Sequence, residues 1–256
     1  MAIIEVRNKK FRYRIIGGMI MFGLALPAFS ASTIAPIVVE AQIDGRAVVN
    51  VRNDWEREVM YQLSVLRWQV IDGRDRYEAT QDFIASPPIF TLAPAETRAI
   101  RIGLRHPIPA PVEQVYRLVV AEVPRVGESG KQGGMVSFAL QYLLPVYVAS
   151  TLSDAKPELV WSMRVVGDAV VVRAENIGQK RIVLLSVGLS KNSAENVEPE
   201  FISKKPTNVL AKTWREWRIP VLRGNASLPL HIVYLNQAST NPTVVPDAEI
   251  KTSSSR

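Results

Sequence analysis

Three arginines, Arg98, Arg101 and Arg105, are spaced three and four residues apart in the stretch ASPPIFTLAPAETRAIRIGLR. On a helix this spacing would form one cationic stripe, and guanidinium groups bind carboxylates and phosphates. The composition predicts a strand over residues 99–105 instead, because its apolar residues alternate: Ile100, Ile102 and Leu104. Arg101 and Arg105 then share the opposite face of that strand, while Arg98 is assigned to the preceding turn. The pair forms either a solvated strand face or an anion-binding row.

The other residue types suited to chemistry do not form a catalytic or metal-binding pattern. The chain has no Cys, which excludes disulfides and zinc sites built on thiolates. His106 and His231 lie far apart and lack the spacing of metal ligands. The glycines of GKQGG, residues 130–134, lack the spacing and the Ser or Thr of a phosphate-binding loop. We therefore predict no catalytic residue, no metal and no cofactor.

A tryptophan–arginine cluster in the segment WREWRIPV leaves two alternatives open. Trp214 and Trp217, with Arg215 and Arg218 beside them, form either a stacking platform or a packed strand with amphipathic arginines. The packed strand is favoured, because long arginine side chains cover apolar surface while their charged ends stay in water.

The first 30 residues read as a secretory signal peptide. A basic segment precedes an apolar run, residues 15–29, which ends in small residues before a cleavage site ahead of Ala31. The alternative is an uncleaved membrane anchor, but the run is short for a spanning helix. Cleavage removes five positive charges and one negative charge, which lowers the formal net charge from +7 to +3. The mature chain then has little of the basic character that nucleic-acid binding requires, and no predicted membrane span.

The mature chain reads as two all-β domains. Val and Ile are frequent, and turn signals recur about every ten residues, which is typical of antiparallel sandwiches. In VMYQLSVLRWQV, for example, Tyr61, Leu63 and Val65 alternate with polar residues. The predicted organisation is an N-terminal domain over residues 31–150, a linker over 151–158, a C-terminal domain over 159–238 and a disordered tail over 239–256.

The strand predicted from Met135 to Val148 is the longest apolar strand in the chain. It follows a Gly-rich polar loop, residues 125–134, and ends the first domain. An exposed apolar edge strand is a hazard that proteins normally avoid. The strand is therefore either ordinary core or an edge with a function.

A set of short motifs in the first domain resembles the periplasmic chaperones of the chaperone/usher pathway, the PapD-like proteins. The motifs occur in the family's order: RW at Arg67, SPPIFTLAP from Ser86, IRIGLR from Ile100, YRLV from Tyr116, AEVP from Ala121 and LPVYV from Leu144. The likeness is strongest to the branch that serves archaic fimbriae. The second domain matches in size and strand character alone.

The resemblance implies two immunoglobulin-like β-sandwich domains in a boomerang arrangement and no enzymatic activity. It further implies a periplasmic protein that lends the last strand of its first domain to a pilus subunit and passes the subunit to an outer-membrane usher. An exposed apolar edge also favours a homodimer in which two chains cap each other's strands. The alternative is a structural pilus subunit or an exported immunoglobulin-like adhesin; a secreted hydrolase has no site to support it.

The lent side chains implied by the resemblance lie on one face of the strand, unless its register shifts by one residue: Val136, Phe138, Leu140 and Tyr142. Well-studied members bind the subunit's terminal carboxylate with an Arg and a Lys, but those places hold Ile37 and Pro145 here. We hypothesise that Arg101 or Arg105, with Arg117 of YRLV, binds the carboxylate instead. Glu122 of AEVP matches a family acid that is expected to pair with a basic residue near the domain joint.

Overall fold

A computed structural model describes residues 32–107, 109–124, 139–191, 199, 201–220, 230–245 and 249–250. The expected signal peptide and the residues Val136 and Phe138 lie outside the described residues. The described part of the chain consists of strands and their connections. Within it, no helix is long and apolar enough to cross a membrane.

The N-terminal domain is a sandwich of two antiparallel-rich sheets that enclose one hydrophobic core. Its strands are β1 (Ser32–Ala35), β2 (Val39–Ala41), β3 (Ala47–Asn53), β4 (Val59–Ile71), β5 (Arg74–Ala79), β6 (Phe83–Ser86), β7 (Ile89–Leu92), β8 (Thr97–Leu104), β9 (Gln114–Glu122) and β10 (Gln141–Val148). One sheet has the order β1-β3-β8-β6, and the other has the order β2-β10-β9-β4-β5 with β7 paired to β4.

The C-terminal domain is a second sandwich with a core of its own. Its strands are β11 (Leu159–Val166), β12 (Ala169–Asn176), β13 (Ile182–Ser190), β14 (Phe201–Ser203), β15 (Thr207–Val209), β16 (Thr213–Pro220), β17 (His231–Asn236), β18 (Thr243–Val244) and β19 (Glu249–Ile250). The sheets have the orders β16-β12-β11-β19 and β14-β13-β17-β18, with β15 paired to β13.

The predicted alternation is confirmed where a strand faces the core on one side. In β4, Val59, Tyr61, Leu63 and Val65 are buried while the residues between them are exposed. In β8, Ile100 and Ile102 are buried and Arg101 is exposed. Arg98 lies within β8 rather than in the preceding turn, on the face where its guanidinium contacts the Phe90 ring. Period-two patterns therefore predicted the faces of these strands correctly.

The prediction of a disordered tail over residues 239–256 is wrong for part of that range. β18 pairs with β17, and β19 pairs in parallel with β11, so the tail adds a strand to each sheet of the C-terminal sandwich. The backbone N–H of Val245 donates to the carbonyl of Ile232 at 2.8 Å, and its side chain packs on the core. The polar composition concealed these strands, because they are short and gain their hydrogen bonds from distant partners.

Candidate functional site

Strand β10 has one edge that is open over half of its length. On one side it pairs with β9 along all of Gln141–Val148. On the other side β2 pairs only with Val146, Tyr147 and Val148. Among the described residues, the segment 141–145 therefore has a ladder on one side only. An open edge of this kind is a template for a further strand.

The hydrogen-bond pattern shows which groups β10 presents at that edge. The N–H of Glu122 donates to the carbonyl of Leu140 at 2.9 Å, and the N–H of Ala149 donates to Ala41 of β2 at 3.2 Å. Because bonding alternates along an antiparallel ladder, even-numbered residues bond to β9 and odd-numbered residues face the open edge. Gln141 and Leu143 thus present an N–H and a carbonyl outward, whereas Pro145 presents a carbonyl alone.

The two described residues of the expected lent set lie on the face of β10 that continues into the core. Tyr142 is half-buried and packs against the N-terminal core, in line with the buried Leu144 and Val146. Leu140 is 37% exposed, just before β10 begins. Leu143, on the opposite face, is 44% exposed. The apolar row therefore runs outward from the domain's own core toward the open end of the strand.

The structure does not bring the three candidate arginines together. Arg101 projects from β8 on the outer face of the first sheet, between two buried isoleucines. Arg105 follows β8, and its Nε donates to the carbonyl of Gln81 at 3.2 Å. Arg117 projects from the outer face of the other sheet, because its neighbours in β9 point into the same core. Arg117 is the one of the three that stands beside β10.

Arg117 is held by aromatic rings and keeps unused hydrogen-bonding capacity. Its guanidinium carbon lies 3.9 Å from the centroid of the Trp68 ring and 5.6 Å from that of Tyr77. Its Nη1 donates to the carbonyl of Leu143 at 3.5 Å. Its Nε is buried and has no hydrogen-bond partner in the part of the chain that the structure describes. A buried donor without a partner is energetically unfavourable.

Arg117 lines a cavity of about 350 Å³ between the two domains. The N-terminal domain contributes Trp68 and Asp75 to its wall, and the C-terminal domain contributes Lys205 and Asn208. Its wall carries the cations Arg117, Lys205 and Arg215 together with the carboxylates of Asp75 and Glu216.

Arg215 holds one side of the domain joint and was not identified as a joint residue from the sequence. Its Nη1 donates to the carbonyl of Gly73 at 2.8 Å, and it forms an ion pair with Asp75. Asp75 also accepts from Nε1 of Trp68 at 2.7 Å. Arg215 is only 7% exposed. It therefore supports the packed-strand interpretation of WREWRIPV, with Arg215 crossing to the other domain.

Gly73 fits closely against the C-terminal domain at this joint. It has a φ of +70°, and a Cβ placed there would lie 2.6 Å from the Trp214 ring. We expect Gly73→Ala to weaken the joint by about 1–3 kcal/mol, through strain and overpacking. Gly167→Ala is the matched control, because Gly167 also has a positive φ (+62°) but nothing within 4 Å. Denaturant unfolding of both variants measures the loss of unfolding free energy in each. Equal losses would show that the close approach of Gly73 to the Trp214 ring does not contribute to stability.

Arg181 holds the other side of the joint. It pairs with Glu113 before β9 and with Glu40 of β2, and its guanidinium carbon lies 3.3 Å from the centroid of the Tyr147 ring in β10. Its backbone N–H also donates to Glu113 at 3.1 Å. Burial raises the pKa of Glu113, and the charge of Arg181 opposes that shift. One side chain of the C-terminal domain thus contacts β2, β10 and the residue that precedes β9.

The expected partner of Glu122 is not found at the joint. Glu122 lies at the opposite end of β9 from Glu113 and is 6% exposed. Its Oε1 accepts from Ser32 Oγ and from Trp55 Nε1, each at 3.1 Å. No cation lies within ion-pair distance among the described residues. Neutral donors satisfy this carboxylate, so the expectation of a basic partner was wrong.

No group of three or more His, Asp or Glu side chains is placed to bind a metal in the described ranges. The geometry instead consists of an open strand edge, an apolar row and an arginine with a free donor. This arrangement can add a main-chain strand and bind an oxygen acceptor at its end.

One protein-family model matches the N-terminal domain. Residues 35–149 match the family described as pili and flagellar-assembly chaperone, PapD N-terminal domain. No curated protein sequence matches the chain.

Solved structures match both domains. The chain is similar to one from the chaperone–tip adhesion subunit pre-assembly complex CsuC–CsuE of the archaic Csu pili of Acinetobacter baumannii, with 21% identity and a TM-score of 0.62 over 87% of this chain and 99% of that one. It is also similar to the Escherichia coli chaperone DraB, with 16% identity and a TM-score of 0.57 over 87% and 97%. A third match is the Salmonella enterica complex of SafA pilin with the SafB chaperone, with 15% identity and a TM-score of 0.57 over 86% and 98%. These matches show a two-domain immunoglobulin-like fold.

Proposed function

We propose, from the match of residues 35–149 to the PapD N-terminal domain of pili and flagellar-assembly chaperones, that the chain is such a chaperone and binds a pilus subunit along the open edge of β10. The subunit would complete its own sheet with the strand that includes β10. The chain would then deliver the subunit to an outer-membrane usher. All of this would take place in the periplasm, where the expected signal peptide directs the chain.

The observation that carries the proposal is the half-open edge of β10. Within 141–145, outward N–H and carbonyl groups occur beside an apolar row that includes Leu140 and Tyr142. Main-chain hydrogen bonds supply affinity in strand addition, and alternate side chains supply specificity. Each apolar side chain that enters a subunit pocket would contribute about 1.5–3 kcal/mol before ordering costs. Val136 and Phe138 extend the same row in the sequence.

We assign the proposed carboxylate site to Arg117. The contact of its Nη1 with the outward carbonyl of Leu143 supports a role for its guanidinium beside the edge along which a subunit strand would run. Arg101 and Arg105 project from the first sheet, away from β10, and are not assigned to this site. A guanidinium suits a carboxylate because it donates two parallel hydrogen bonds.

The same edge offers a route to self-association in the free protein. A homodimer in which two chains cover each other's open segments would bury Leu140 and Leu143, which are 37% and 44% exposed. We propose that such a dimer competes with the subunit. The alternative function, a structural pilus subunit or adhesin, is less well supported, because the family match and both domains of the structural matches are those of chaperones.

The proposal is tested by co-purification of the mature, C-terminally tagged chain from the periplasm of its own host. We expect a small β-rich secreted protein bound one to one. Phe138→Glu and Leu140→Glu should abolish its recovery while the chain stays folded. Val160→Glu is the matched control, because Val160 is 49% exposed on β11 of the other domain. Absence of a partner, or a partner retained in both variants, would contradict strand lending and favour the adhesin alternative.

A further inference from the structure

Glu122 is a buried carboxylate at the end of the N-terminal sandwich where β10 begins. It lies on the core face of β9, two residues beyond the buried Val120. Its Oε1 accepts from Ser32 Oγ of the first sheet and from Trp55 Nε1, each at 3.1 Å, so the carboxylate joins the two sheets. Replacing a buried charge by an apolar side chain of similar volume is often neutral or stabilising. The stability of the sandwich therefore does not by itself account for a carboxylate here.

The same residue holds the main chain of Leu140, which directly precedes β10. The N–H of Glu122 donates to the carbonyl of Leu140 at 2.9 Å. The N–H of Leu140 donates to Oε2 of the Glu122 side chain at 3.5 Å, whereas a regular antiparallel pair would use the main-chain carbonyl. The carboxylate thus accepts the last hydrogen bond of the β9–β10 ladder.

The amino-acid pattern around Leu140 does not by itself fix the register of this strand. In the stretch ALQYLL, apolar residues occur at both parities, with Leu140 on one face and Leu143 on the other. A slip by one residue would exchange the two faces. Pairing with β2 fixes the register at Val146–Val148, but the segment 141–145 has a ladder on one side only. The other end of that segment is held at Glu122.

We infer that Glu122 sets the register of the strand proposed for the subunit and is a positioning residue for subunit binding. Ser32 and Trp55 fix the carboxylate, and the carboxylate fixes Leu140. In this register Leu140 and Tyr142 lie on the face that continues into the core. Fixing a register at a cost in stability is the best-attested use of a buried polar group. The inference rests on the proposed function, because it requires a subunit on this strand.

Glu122→Gln tests the inference because it changes one contact selectively. The amide oxygen of glutamine can still accept from Ser32 and Trp55, but its NH₂ group cannot accept from the N–H of Leu140. We expect amide hydrogen exchange at Leu140 in the free chain, and dissociation of the co-purified subunit, each to be about 10-fold faster. The midpoint of thermal unfolding should change little, because the variant also removes a buried charge.

Trp55→Phe is the matched control. It removes one donor from Oε1 of Glu122 and leaves the contact with Leu140 in place. We expect this variant to lower the thermal unfolding midpoint while exchange at Leu140 and subunit dissociation stay within about 3-fold of the wild type. A carboxylate with a structural role alone would instead give the same ranking of the two variants in stability and in binding.

Paired cysteines report the register directly, because the chain has no Cys of its own. Ala121 and Gln141 are opposed in a non-hydrogen-bonded pair, which is close enough for a disulfide. We expect Ala121→Cys to cross-link with Gln141→Cys and not with Leu140→Cys. Addition of Glu122→Gln should raise the yield of the second cross-link.

Unchanged exchange and unchanged cross-linking in Glu122→Gln would overturn the role of this carboxylate in the register. Faster exchange with an unchanged rate of subunit dissociation would overturn its role in binding. Recovery of no subunit by the wild-type chain is a separate outcome that would overturn the proposed function and the role in binding together. The exchange and cross-linking measurements use the free chain and would still decide the register.

Discussion

Replacing Leu143 with proline is expected to lower the affinity for a pilus subunit by about 30-fold while the N-terminal sandwich stays folded. The N–H of Leu143 faces the open edge of β10, so its loss leaves the β9 ladder intact. A bound subunit strand would lose one main-chain hydrogen bond and keep a buried carbonyl without a donor, which together cost about 2 kcal/mol. Quantitative binding of the purified subunit, or subunit recovery against chaperone level, measures the loss.

The matched control is Leu143→Ala, which keeps the N–H and removes only a side chain that is 44% exposed. We expect the alanine variant to bind within about 3-fold of the wild type, because little apolar area is lost. Circular dichroism and thermal unfolding should show that both variants are folded. Equal binding by the proline and alanine variants would mean that the outward N–H of Leu143 pairs with nothing in the complex. The open edge would then not be the docking site.

Replacing Arg181 with methionine is expected to destabilise the domain joint by about 3 kcal/mol at neutral pH. Methionine retains much of the apolar length of arginine but leaves Glu113 as a charge with no partner in an almost dry site. The Glu113 side chain is 4% exposed and that of Arg181 is 12% exposed. Denaturant unfolding measures the loss. Because the chain has no Cys, spin labels at two introduced cysteines would report any change in the distance between the domains.

The pH dependence of the unfolding free energy of the Arg181→Met variant tests whether Glu113 causes the destabilisation. Burial raises the pKa of Glu113 in the folded state. A carboxyl with a raised pKa favours folding at low pH, and this contribution is lost as the pH rises through the folded-state pKa. Loss of Arg181 raises that pKa further. The loss of unfolding free energy in Arg181→Met should therefore be largest at neutral pH. It should shrink as the pH falls toward the ordinary pKa of a glutamate, about 4.3.

Glu113→Gln is the control for this prediction. It removes the buried charge and leaves Arg181 paired with Glu40, so we expect a cost of about 1 kcal/mol with no comparable pH dependence. Equal losses in the two variants would contradict the argument that an unpaired buried charge dominates. A deficit in Arg181→Met that is constant between pH 4 and pH 7 would contradict it as well.

The contacts between the two domains also involve β10, the strand that is proposed to bind a subunit. Arg181 contacts Glu40 of β2 and the Tyr147 ring of β10, and Tyr147 in turn donates to Asn208 of the C-terminal domain at 3.2 Å. Trp68, Tyr147 and Leu210 form a small apolar cluster across the joint. The C-terminal domain therefore contacts the C-terminal end of β10, at Tyr147, whereas one edge of the segment 141–145 stays open.

The sequence alone determined the fold class, the order of most strands and the faces of those that border one core. Alternation in β4 and β8 is a local signal, because successive side chains of a strand point to opposite faces. The motif order also indicated the family that the N-terminal domain matches.

Only the tertiary structure decided which edge stays open, which arginine stands beside it and what covers the outer face of the second sheet. Arg215 reads as amphipathic in its own strand, yet it is only 7% exposed because the N-terminal domain lies against it. Arg101 and Arg117 both stand between apolar residues of a strand, so the sequence pattern does not distinguish them. Their strands, β8 and β9, belong to opposite sheets. A period-two pattern specifies two faces of a strand; the neighbour at each edge and the surface over each face depend on contacts between residues far apart in the chain.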